Sequence, residues 1–299
     1  MKLLDYGLTP VSHRGDTSAI RSAAVGVNRR GFIVTSLASG FALASNPILA
    51  QAINTDSKGL VAGEVSVTVA DGKIPAYRAK PAKGGNFPVV LVIQEIFGVH
   101  EHIKDVCRRL AKLGYYAIAP ELFSRQGDVS KMEDIGEILS KVVARVPDKQ
   151  VFADIDATVA FAKFDKQANT TKLGIIGFCW GGRTVWLYAG HNPSVKAGVS
   201  YYGLLEGMKS DIKVQDPVDM GATLTVPVLG LYAGTDAFVK PAVIQQMRGE
   251  LVKSRSGSAI VIFPGVDHGF NADYRPTYDK SAATYAWKLT RDWLKERGV

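Results

Sequence analysis

A short glycine-rich segment, residues 177–182, has the sequence Gly-Phe-Cys-Trp-Gly-Gly and follows the apolar run 173–176. A helical stretch is predicted directly after it, over 183–189. A G-x-C-x-G pattern between a strand and a helix is typical of a nucleophile elbow, a sharp turn in which larger residues beside the nucleophile would collide with the strand and the helix. The amino end of that helix would also stabilise a thiolate. The pattern predicts Cys179 as a nucleophile, and the alternative is an inert cysteine buried beside a glycine turn.

A nucleophilic cysteine needs an imidazole base beside it in the fold. Of the five histidines in the chain, only His191 and His268 follow Cys179. His191 falls at the end of a predicted helix, where it would be a surface residue. His268 comes just after a predicted strand over 259–263, at a carboxyl end, where the base of such a site belongs. We therefore expect His268 to be the base.

A carboxylate that lies between nucleophile and base in chain order should orient the imidazole. Asp236 follows a predicted strand over 226–232 through an Ala-Gly-Thr turn. Asp267 is an alternative, but neighbouring side chains on an extended segment point to opposite sides, so it is poorly placed to orient His268. Glu206, which follows the preceding predicted strand, is a second alternative. We favour Asp236 because it stands at a strand end within a G-x-D turn.

Two backbone N–H groups should hold the oxyanion that forms when a carbonyl is attacked. The first is expected from Trp180, which follows the nucleophile, and the second from Ile96, in the loop after the apolar run 89–93. The same loop contains Glu95 at the carboxyl end of that run, where burial of a carboxylate is costly. Glu95 is either a solvated loop acid or a carboxylate that contacts the thiol and modulates its ionisation.

The elements around these motifs alternate between strands and helices. Segments 64–69 and 74–79 alternate in polarity around Asp71-Gly72 and predict an antiparallel hairpin. Beyond them, apolar runs typical of strands buried on both faces alternate with helical stretches. This order predicts the α/β class and the α/β-hydrolase fold, a mainly parallel sheet with helices on both faces and the hairpin at its edge, in one domain over residues 53–299. The predicted strands are 89–93, 115–119, 173–176, 195–201, 226–232 and 259–263, and the predicted helices are 103–113, 132–143, 152–164, 183–189 and 278–296.

The overall composition is that of an ordinary globular protein, with 46% hydrophobic and 21% charged residues. The formal net charge of +8 is spread along the chain, without a basic run interleaved with aromatic residues, so no nucleic-acid partner is predicted. Cys107 and Cys179 are the two cysteines of the chain, too few for a disulfide framework. A single bridge between them is the alternative to a free nucleophile.

His100 and His102 are spaced like a pair of metal ligands. No third ligand is evident nearby in the sequence, so no metal site is predicted. We expect the two histidines to line the pocket or to face solvent.

The first 52 residues have the organisation of an export signal. Arg29 and Arg30 precede Gly-Phe-Ile, an uncharged stretch rich in small and apolar residues covers 34–49, and Ala-Gln-Ala at 50–52 matches a signal-peptidase pattern with cleavage after Ala52. The segment resembles a twin-arginine signal, which implies transit through the twin-arginine export machinery and a periplasmic or secreted protein. A membrane anchor and a buried helix are the alternatives, but the stretch is short for a bilayer span.

Four motifs of the sequence belong together: Gln-Glu-Ile-Phe-Gly at 94–98, Ala-Pro-Glu-Leu-Phe at 119–123, the segment 177–182 and His-Gly-Phe at 268–270. Together they resemble the dienelactone hydrolase family, also called carboxymethylenebutenolidases. The resemblance runs from about residue 64 to the end of the chain. It implies a triad of Cys179, His268 and Asp236, a Glu95 that holds the thiol until substrate arrives, and no cofactor. The reaction for which the family is named opens a dienelactone to an oxo-diacid.

Two departures from the family concern the arginines that hold a substrate carboxylate in its characterised lactonases. In the helical segment that starts near Lys131 this chain has no arginine until Arg145, and four positions after His268 it has Ala272. Arg275 is close enough in sequence to substitute, and with Phe97 of the glutamate loop it is our candidate for substrate binding. The prediction is therefore cleavage of an ester or lactone, with dienelactone itself left open.

The predicted reaction is acyl transfer to the sulfur of Cys179, followed by hydrolysis of the acyl-enzyme. A thioesterase or general carboxylesterase would use the same residues on other substrates. A binding protein built on an inactive hydrolase scaffold is the alternative outside enzymes. It would hold a thiol that is buried, protonated and unreactive.

Overall fold

In the computed structural model, residues 53–299 are described. The arginine pair, the apolar stretch 34–49 and the cleavage motif at 50–52 lie outside the described residues. Two strands open the described fold, β1 (Leu60–Val69) and β2 (Gly72–Pro81), and they pair antiparallel along their whole length. The predicted hairpin is confirmed, with strands several residues longer than expected.

A mainly parallel sheet continues from this hairpin in the order β1-β2-β4-β3-β5-β6-β7-β8. β2 pairs antiparallel with β4, and every later neighbouring pair is parallel. The central strands are almost wholly buried, which explains their unbroken apolar sequences. The arrangement confirms the predicted fold class. The remaining strands are β3 (Phe87–Ile93), β4 (Tyr116–Pro120), β5 (Ala168–Phe178), β6 (Val195–Tyr201), β7 (Val228–Ala233) and β8 (Ala259–Phe263).

The longer helices connect these strands, and their apolar sides pack on the sheet. The first presents an apolar face toward the sheet and a charged face outward, and Gly114, with φ +97°, follows its end. None of the helices in the described part of the chain combines the length and apolar character needed to cross a bilayer. The helices are α1 (Glu101–Lys112), α2 (Asp148–Phe164), α3 (Trp180–His191), α4 (Pro241–Lys253) and α5 (Lys280–Glu296).

The helix predicted over 132–143 is wrong as a single element. The chain there forms separate short helical pieces, Val129–Lys131, Ile135–Glu137, Ile138–Val142 and Val143–Arg145. Asp134 is the reason for one break, because its carboxylate accepts a hydrogen bond from the N–H of Glu137 and starts a new helical turn. A π-helical turn then interrupts the i to i−4 hydrogen bonds.

Two boundaries near the site also differ from the prediction. β5 begins at Ala168 rather than at residue 173, because its first residues pair with Phe87 and Pro88 of β3. α3 begins at Trp180, immediately after Cys179, rather than at residue 183. Cys179 is therefore the single residue between β5 and α3, at the carboxyl edge of the sheet.

Candidate active site

Cys179 occupies a strained turn at the end of β5. Its φ is +53°, a left-handed value rare for a residue with a side chain, and its N–H donates a hydrogen bond of 3.0 Å to the carbonyl of Tyr201. A Cβ on Gly177 would lie 2.4 Å from the carbonyl oxygen of Gly181. The turn therefore closes only with glycine at these positions, as expected for an elbow that presents a nucleophile.

His268 and Asp236 meet at the same edge of the sheet. The imidazole Nδ1 lies 2.8 Å from Oδ2 of Asp236, and both side chains are buried. Asp236 follows β7 and His268 follows β8, so each comes from a strand end. Oδ1 of Asp236 accepts hydrogen bonds from the N–H groups of Phe238 at 2.7 Å and Val239 at 3.1 Å. These bonds fix the carboxylate, which in turn fixes the orientation of the imidazole.

The environment of His268 favours its protonated form. Burial alone lowers the pKa of the imidazole. The charges of the Asp236 carboxylate and of a Cys179 thiolate, and hydrogen bonds from His268 to both side chains, raise it more, to a pKa of about 10. The carboxylate of Asp236 thus holds one nitrogen of the imidazole, and Cys179 is close enough to contribute to the raised pKa.

The alternative partners considered from the sequence lie elsewhere. Asp267 is exposed, and its Oδ1 accepts from the backbone N–H of His268 at 2.7 Å rather than from the ring. Glu206 is exposed. His191, at the end of α3, pairs with Asp156 at 2.8 Å near the surface. Among these carboxylates, Asp236 is therefore the one that contacts the ring of His268.

Glu95 is completely buried and surrounded by polar partners. Its carboxylate lies 3.6 Å from the guanidinium of Arg275 and 3.5 Å from Nε2 of His100, and it accepts a hydrogen bond from the hydroxyl of Tyr274. Burial raises the pKa of this carboxyl, but the charge of Arg275 and the hydrogen bond and charge of His100 lower it more, and the net pKa is well below its usual range. Glu95 is therefore an ionised carboxylate inside the protein and not a solvated loop acid.

Arg275 and Phe97, the two residues predicted to bind substrate, come together beside Glu95. The guanidinium carbon of Arg275 lies 5.1 Å from the centre of the Phe97 ring and 5.4 Å from that of Tyr274, distances typical of cation–π contacts. A cavity of about 420 Å³ lies against Phe97 and His100. Ala272, at the position where the family has an arginine, is buried.

The two backbone segments expected to form the oxyanion hole are adjacent. A Cβ on Gly181 would lie 2.5 Å from the carbonyl oxygen of Ile93 and 2.4 Å from that of Gln94, so the start of α3 packs directly on the end of β3. This contact brings Trp180, the first residue of α3, beside the loop that contains Ile96. Ile96 itself is buried.

Two tyrosines of this region were not identified from the sequence. Tyr274 contacts Glu95, as described above. Tyr202 has φ +39°, its ring centre lies 5.0 Å from that of His268, and its buried hydroxyl has no hydrogen-bond partner among residues 53–299. The sequence could have indicated Tyr202 as a site residue, because it comes directly after β6, at a strand end. Burial, followed by the charge of Glu95, raises the pKa of Tyr202, so its hydroxyl stays protonated.

His100 and His102 have different partners and do not form a metal pair. Their rings stack with centres 6.1 Å apart, and Nδ1 of His102 lies 2.9 Å from Oδ1 of Asp273. Within the described residues, no three His, Cys, Asp or Glu side chains are grouped closely enough to hold a metal ion. Both cysteines are free, and burial raises the pKa of the Cys107 thiol.

The chain is similar to known proteins over most of its length. A profile of the dienelactone hydrolase family matches residues 74–298. A protein of Methylorubrum extorquens, provisionally named a carboxymethylenebutenolidase, is 56% identical over 274 residues, 91% of this chain and 94% of the relative. A Bradyrhizobium protein, provisionally named a 2-oxo-3-(5-oxofuran-2-ylidene)propanoate lactonase, is 31% identical over 223 residues, 74% of this chain and 88% of the relative.

A crystal structure of a related protein has a similar fold. It is of a Klebsiella pneumoniae protein provisionally described as a dienelactone hydrolase, with a TM-score of 0.77 and 45% sequence identity, and the match covers 79% of this chain and 99% of that one. Sequence and structure therefore agree on the α/β-hydrolase fold and on a hydrolase. The chain belongs to the dienelactone hydrolase family.

Proposed function

We propose that this hydrolase is cysteine-dependent and that it cleaves lactones or carboxylic esters through an acyl-enzyme intermediate. One observation carries the proposal: Nδ1 of the His268 imidazole lies 2.8 Å from Oδ2 of Asp236, and Cys179 is close enough for its charge to raise the pKa of the same ring. This is the arrangement that a nucleophile, a base and an orienting acid require. The three residues also follow the chain order expected of the fold.

In the proposed reaction, His268 already holds the proton of the Cys179 thiol, and the thiolate attacks the carbonyl carbon. The carbonyl oxygen becomes an oxyanion, held by the N–H groups of Trp180 and Ile96. Collapse of the tetrahedral intermediate expels the alkoxide, which takes the proton from His268, and leaves a thioester on Cys179. His268, oriented by Asp236, then removes a proton from water, and attack of that water on the thioester releases the carboxylic acid and the free cysteine.

The substrate class follows from the nucleophile and from the size of the site. A thiolate attacks readily but also leaves readily, so activated esters and lactones are better substrates than amides. The cavity of about 420 Å³, which is lined by Phe97 and His100 and not by Cys179 or His268, has a size that suits a small molecule beside the site. The name of the Bradyrhizobium relative also denotes a lactonase.

Hydrolysis of a panel of lactones, aryl esters and acyl thioesters by the full chain tests the proposal. We expect turnover of the lactones or aryl esters, loss of that turnover in Cys179→Ala, and partial activity in Cys179→Ser, which keeps a weaker nucleophile. Preferred turnover of thioesters would instead indicate a thioesterase. Equal turnover by the wild type and Cys179→Ala would show that Cys179 is not the nucleophile.

Labelling with iodoacetamide separates an enzyme from an inactive scaffold. We expect stoichiometric alkylation of Cys179 and much slower alkylation in His268→Ala, because the imidazole no longer stabilises the thiolate. Cys107 provides the internal control, since burial raises the pKa of its thiol and keeps it protonated. Absence of labelling in the native wild type would favour a binding protein.

We also propose that the chain is exported through a twin-arginine route and cut after Ala52. The proposal is supported by the Arg29-Arg30 pair, the uncharged stretch 34–49 and the Ala-Gln-Ala sequence before residue 53. Cell fractionation with amino-terminal sequencing tests it. We expect periplasmic protein that begins at Ile53 and cytoplasmic retention when Arg29 and Arg30 are both changed to Lys. Full-length protein in the cytoplasm of wild-type cells would contradict it.

A further inference from the structure

The first described residues are bound along the outer side of α1. The N–H of Ile53 donates a hydrogen bond of 2.9 Å to Oδ2 of Asp273, and the N–H of Thr55 donates to Oδ1 of Asp105. Nε of Arg108 donates to the carbonyl of Thr55 at 2.7 Å. Three side chains therefore hold a segment of three residues, whose first N–H points at a carboxylate.

Asp273 is an unusual acceptor for a backbone N–H because its side chain is almost wholly buried, with 2% of its surface exposed. Oδ1 lies 2.9 Å from Nδ1 of His102, and Oδ2 lies 2.9 Å from Nη2 of Arg109 as well as 2.9 Å from the N of Ile53. Tyr278 is the further titratable group close to this carboxylate. A buried carboxylate with these contacts is well placed to bind a cation.

The charges linked to Asp273 are unbalanced. Arg108 bonds Glu101 and Asp105, and Arg109 bonds Asp105 and Asp273. While the ring of His102 is neutral, three carboxylates thus share two guanidinium groups, which leaves an excess of one negative charge in a cluster that is buried at Asp105 and Asp273 and exposed at Glu101. Such an excess is costly unless a further positive charge is present.

Other cations near Ile53 belong to α5, and within the described residues none of them forms an ion pair with Asp273. Lys280, Lys288 and Arg291 line an open cavity of about 710 Å³ that Ile53 also borders. Lys288 pairs with Asp292 at 2.6 Å. These side chains are in contact with solvent and their charges are screened. The nitrogen of Ile53 lies as close to the Asp273 carboxylate, at 2.9 Å, as Nη2 of Arg109 and Nδ1 of His102.

We propose that Asp273 is the receptor for the α-amino group of Ile53, which is created when the chain is cut after Ala52. Hydrolysis of the Ala52–Ile53 peptide bond by a peptidase adds water, leaves a carboxylate on Ala52 and an ammonium on Ile53, and so converts a neutral N–H donor into a cation at the same position. A charge-assisted hydrogen bond is roughly twice as strong as a neutral one. The inference rests on the proposed cleavage position and not on the proposed hydrolase activity.

The ion pair between Ile53 and Asp273 would connect cleavage after Ala52 to the candidate active site. Asp273 lies in the loop between His268 and Arg275, and its neighbour Tyr274 contacts Glu95. His102, which binds the other oxygen of Asp273, also packs against the Tyr274 ring at 5.4 Å. An ammonium at Ile53 therefore holds the loop that contains Tyr274, the residue that contacts Glu95.

The test uses the full chain cut in vitro, so it does not depend on where the cell cuts. Cutting is expected to raise the melting temperature near pH 6.5 by about 2 °C, the effect of an ion pair of about 1 kcal/mol in a domain of this size. An α-amino group has an ordinary pKa of about 7.7–8.0, and a carboxylate partner raises it. The gain is therefore complete below about pH 7.5 and is lost as the pH rises through the raised pKa. The substitutions Leu49→Ile, Ala50→Glu, Gln51→Gly and Ala52→Arg create a factor Xa site that is cut directly before Ile53.

Two controls make the result specific. Asp273→Asn keeps an acceptor oxygen for the N–H but not the charge, and it should abolish the gain produced by cutting. The substitutions Leu49→Glu, Ala50→Gly and Gln51→Arg, after Ile48, move the cut to leave Ala52 as the new terminus and displace the ammonium by one residue, about 3.8 Å. A gain that is equal in this control, or one that does not change between pH 7 and pH 10, would overturn the proposal even where Asp273→Asn fails to fold.

Discussion

The guanidinium of Arg275 lies 3.6 Å from the carboxylate of Glu95, and both side chains are buried at the carboxyl edge of the sheet. Each charge depends on the other, because removing one partner of a buried pair leaves an uncompensated charge. The contact also explains how a fully buried glutamate at the end of an apolar strand stays ionised.

Arg275→Met should destabilise the protein by about 3–5 kcal/mol near pH 7 because Glu95 loses its main partner. In the wild type, the lowered pKa of Glu95 contributes stability above its ordinary pKa of about 4.3, and this contribution is lost only as the pH falls through the lowered value. Urea unfolding between pH 4 and pH 8 measures the change. The double variant with Glu95→Gln should recover most of the loss, and a fully stable single variant would contradict the pairing.

Asp236→Asn tests the source of the raised pKa of His268. We expect this pKa to fall from about 10 toward its ordinary value of about 6.5, and the rate of ester hydrolysis to fall by about 10²–10⁴-fold. The fold should persist because the amide oxygen of Asn still accepts from the N–H groups of Phe238 and Val239. NMR titration of the imidazole gives the pKa, and an unchanged value would show that Asp236 does not control it.

The same variant has a predicted effect on stability as a function of pH. A histidine whose pKa is raised in the folded state contributes stability that is complete below about pH 6.5 and is lost as the pH rises toward about 10. Asp236→Asn should therefore flatten the stability profile over that range. Thermal melts at intervals of one pH unit measure the slope, with His268→Gln as the matched control that should flatten it equally.

The order of Cys179, Asp236 and His268 was predictable because each follows a strand, and the carboxyl ends of parallel strands lie at one edge of a sheet. The partners of Glu95 were harder to predict, since His100, Tyr274 and Arg275 come from segments without regular structure whose paths depend on tertiary contacts. Burial could be suspected from the sequence at residue 95, but the identity of the compensating charge could not.

The start of α3 shows a second limit of the sequence. Gly181 and Gly182 have poor helix propensity and predicted a turn, whereas they form the first turn of the helix. Packing overrides propensity here, because a Cβ on Gly182 would lie 2.7 Å from the Cα of Gly203. The glycines permit close contact of α3 with the backbone near Gly203. No local sequence pattern indicates this contact, because the two segments are distant in sequence.

Glycine substitutions test this requirement for close packing. Gly177→Ala should destabilise the protein by about 1–3 kcal/mol or more and abolish hydrolysis, since its Cβ would lie 2.4 Å from the carbonyl oxygen of Gly181. Gly249→Ala is the matched control, because that glycine lies within α4 with no atom in the way of a Cβ. The control should gain about 0.5–1 kcal/mol. Equal effects of the two changes in urea unfolding would refute the steric argument.

Glu121 positions the loop that is proposed to supply the second oxyanion donor. Its Oε2 accepts a hydrogen bond of 2.7 Å from the N–H of Val99 and would lie 2.8 Å from a Cβ on Gly98, where φ is +75°. Burial raises the pKa of Glu121, although hydrogen bonds from Val99 and Gln94 oppose the change. The carboxylate therefore binds the loop at Val99, three residues beyond Ile96.

Glu121→Ala should cost about 1–3 kcal/mol, because the partly buried N–H of Val99 loses its acceptor, and it should lower kcat for ester hydrolysis as the loop that contains Ile96 loosens. Glu121→Gln keeps an acceptor oxygen and removes a buried charge, so it should retain both stability and kcat at pH 8. As the pH rises through the raised pKa of Glu121, its carboxyl ionises and the free energy of unfolding of the wild type falls. The Gln variant should not show this dependence of stability on pH. If Gln lowered kcat as far as Ala does, the negative charge rather than the hydrogen bond would be the essential property of this residue.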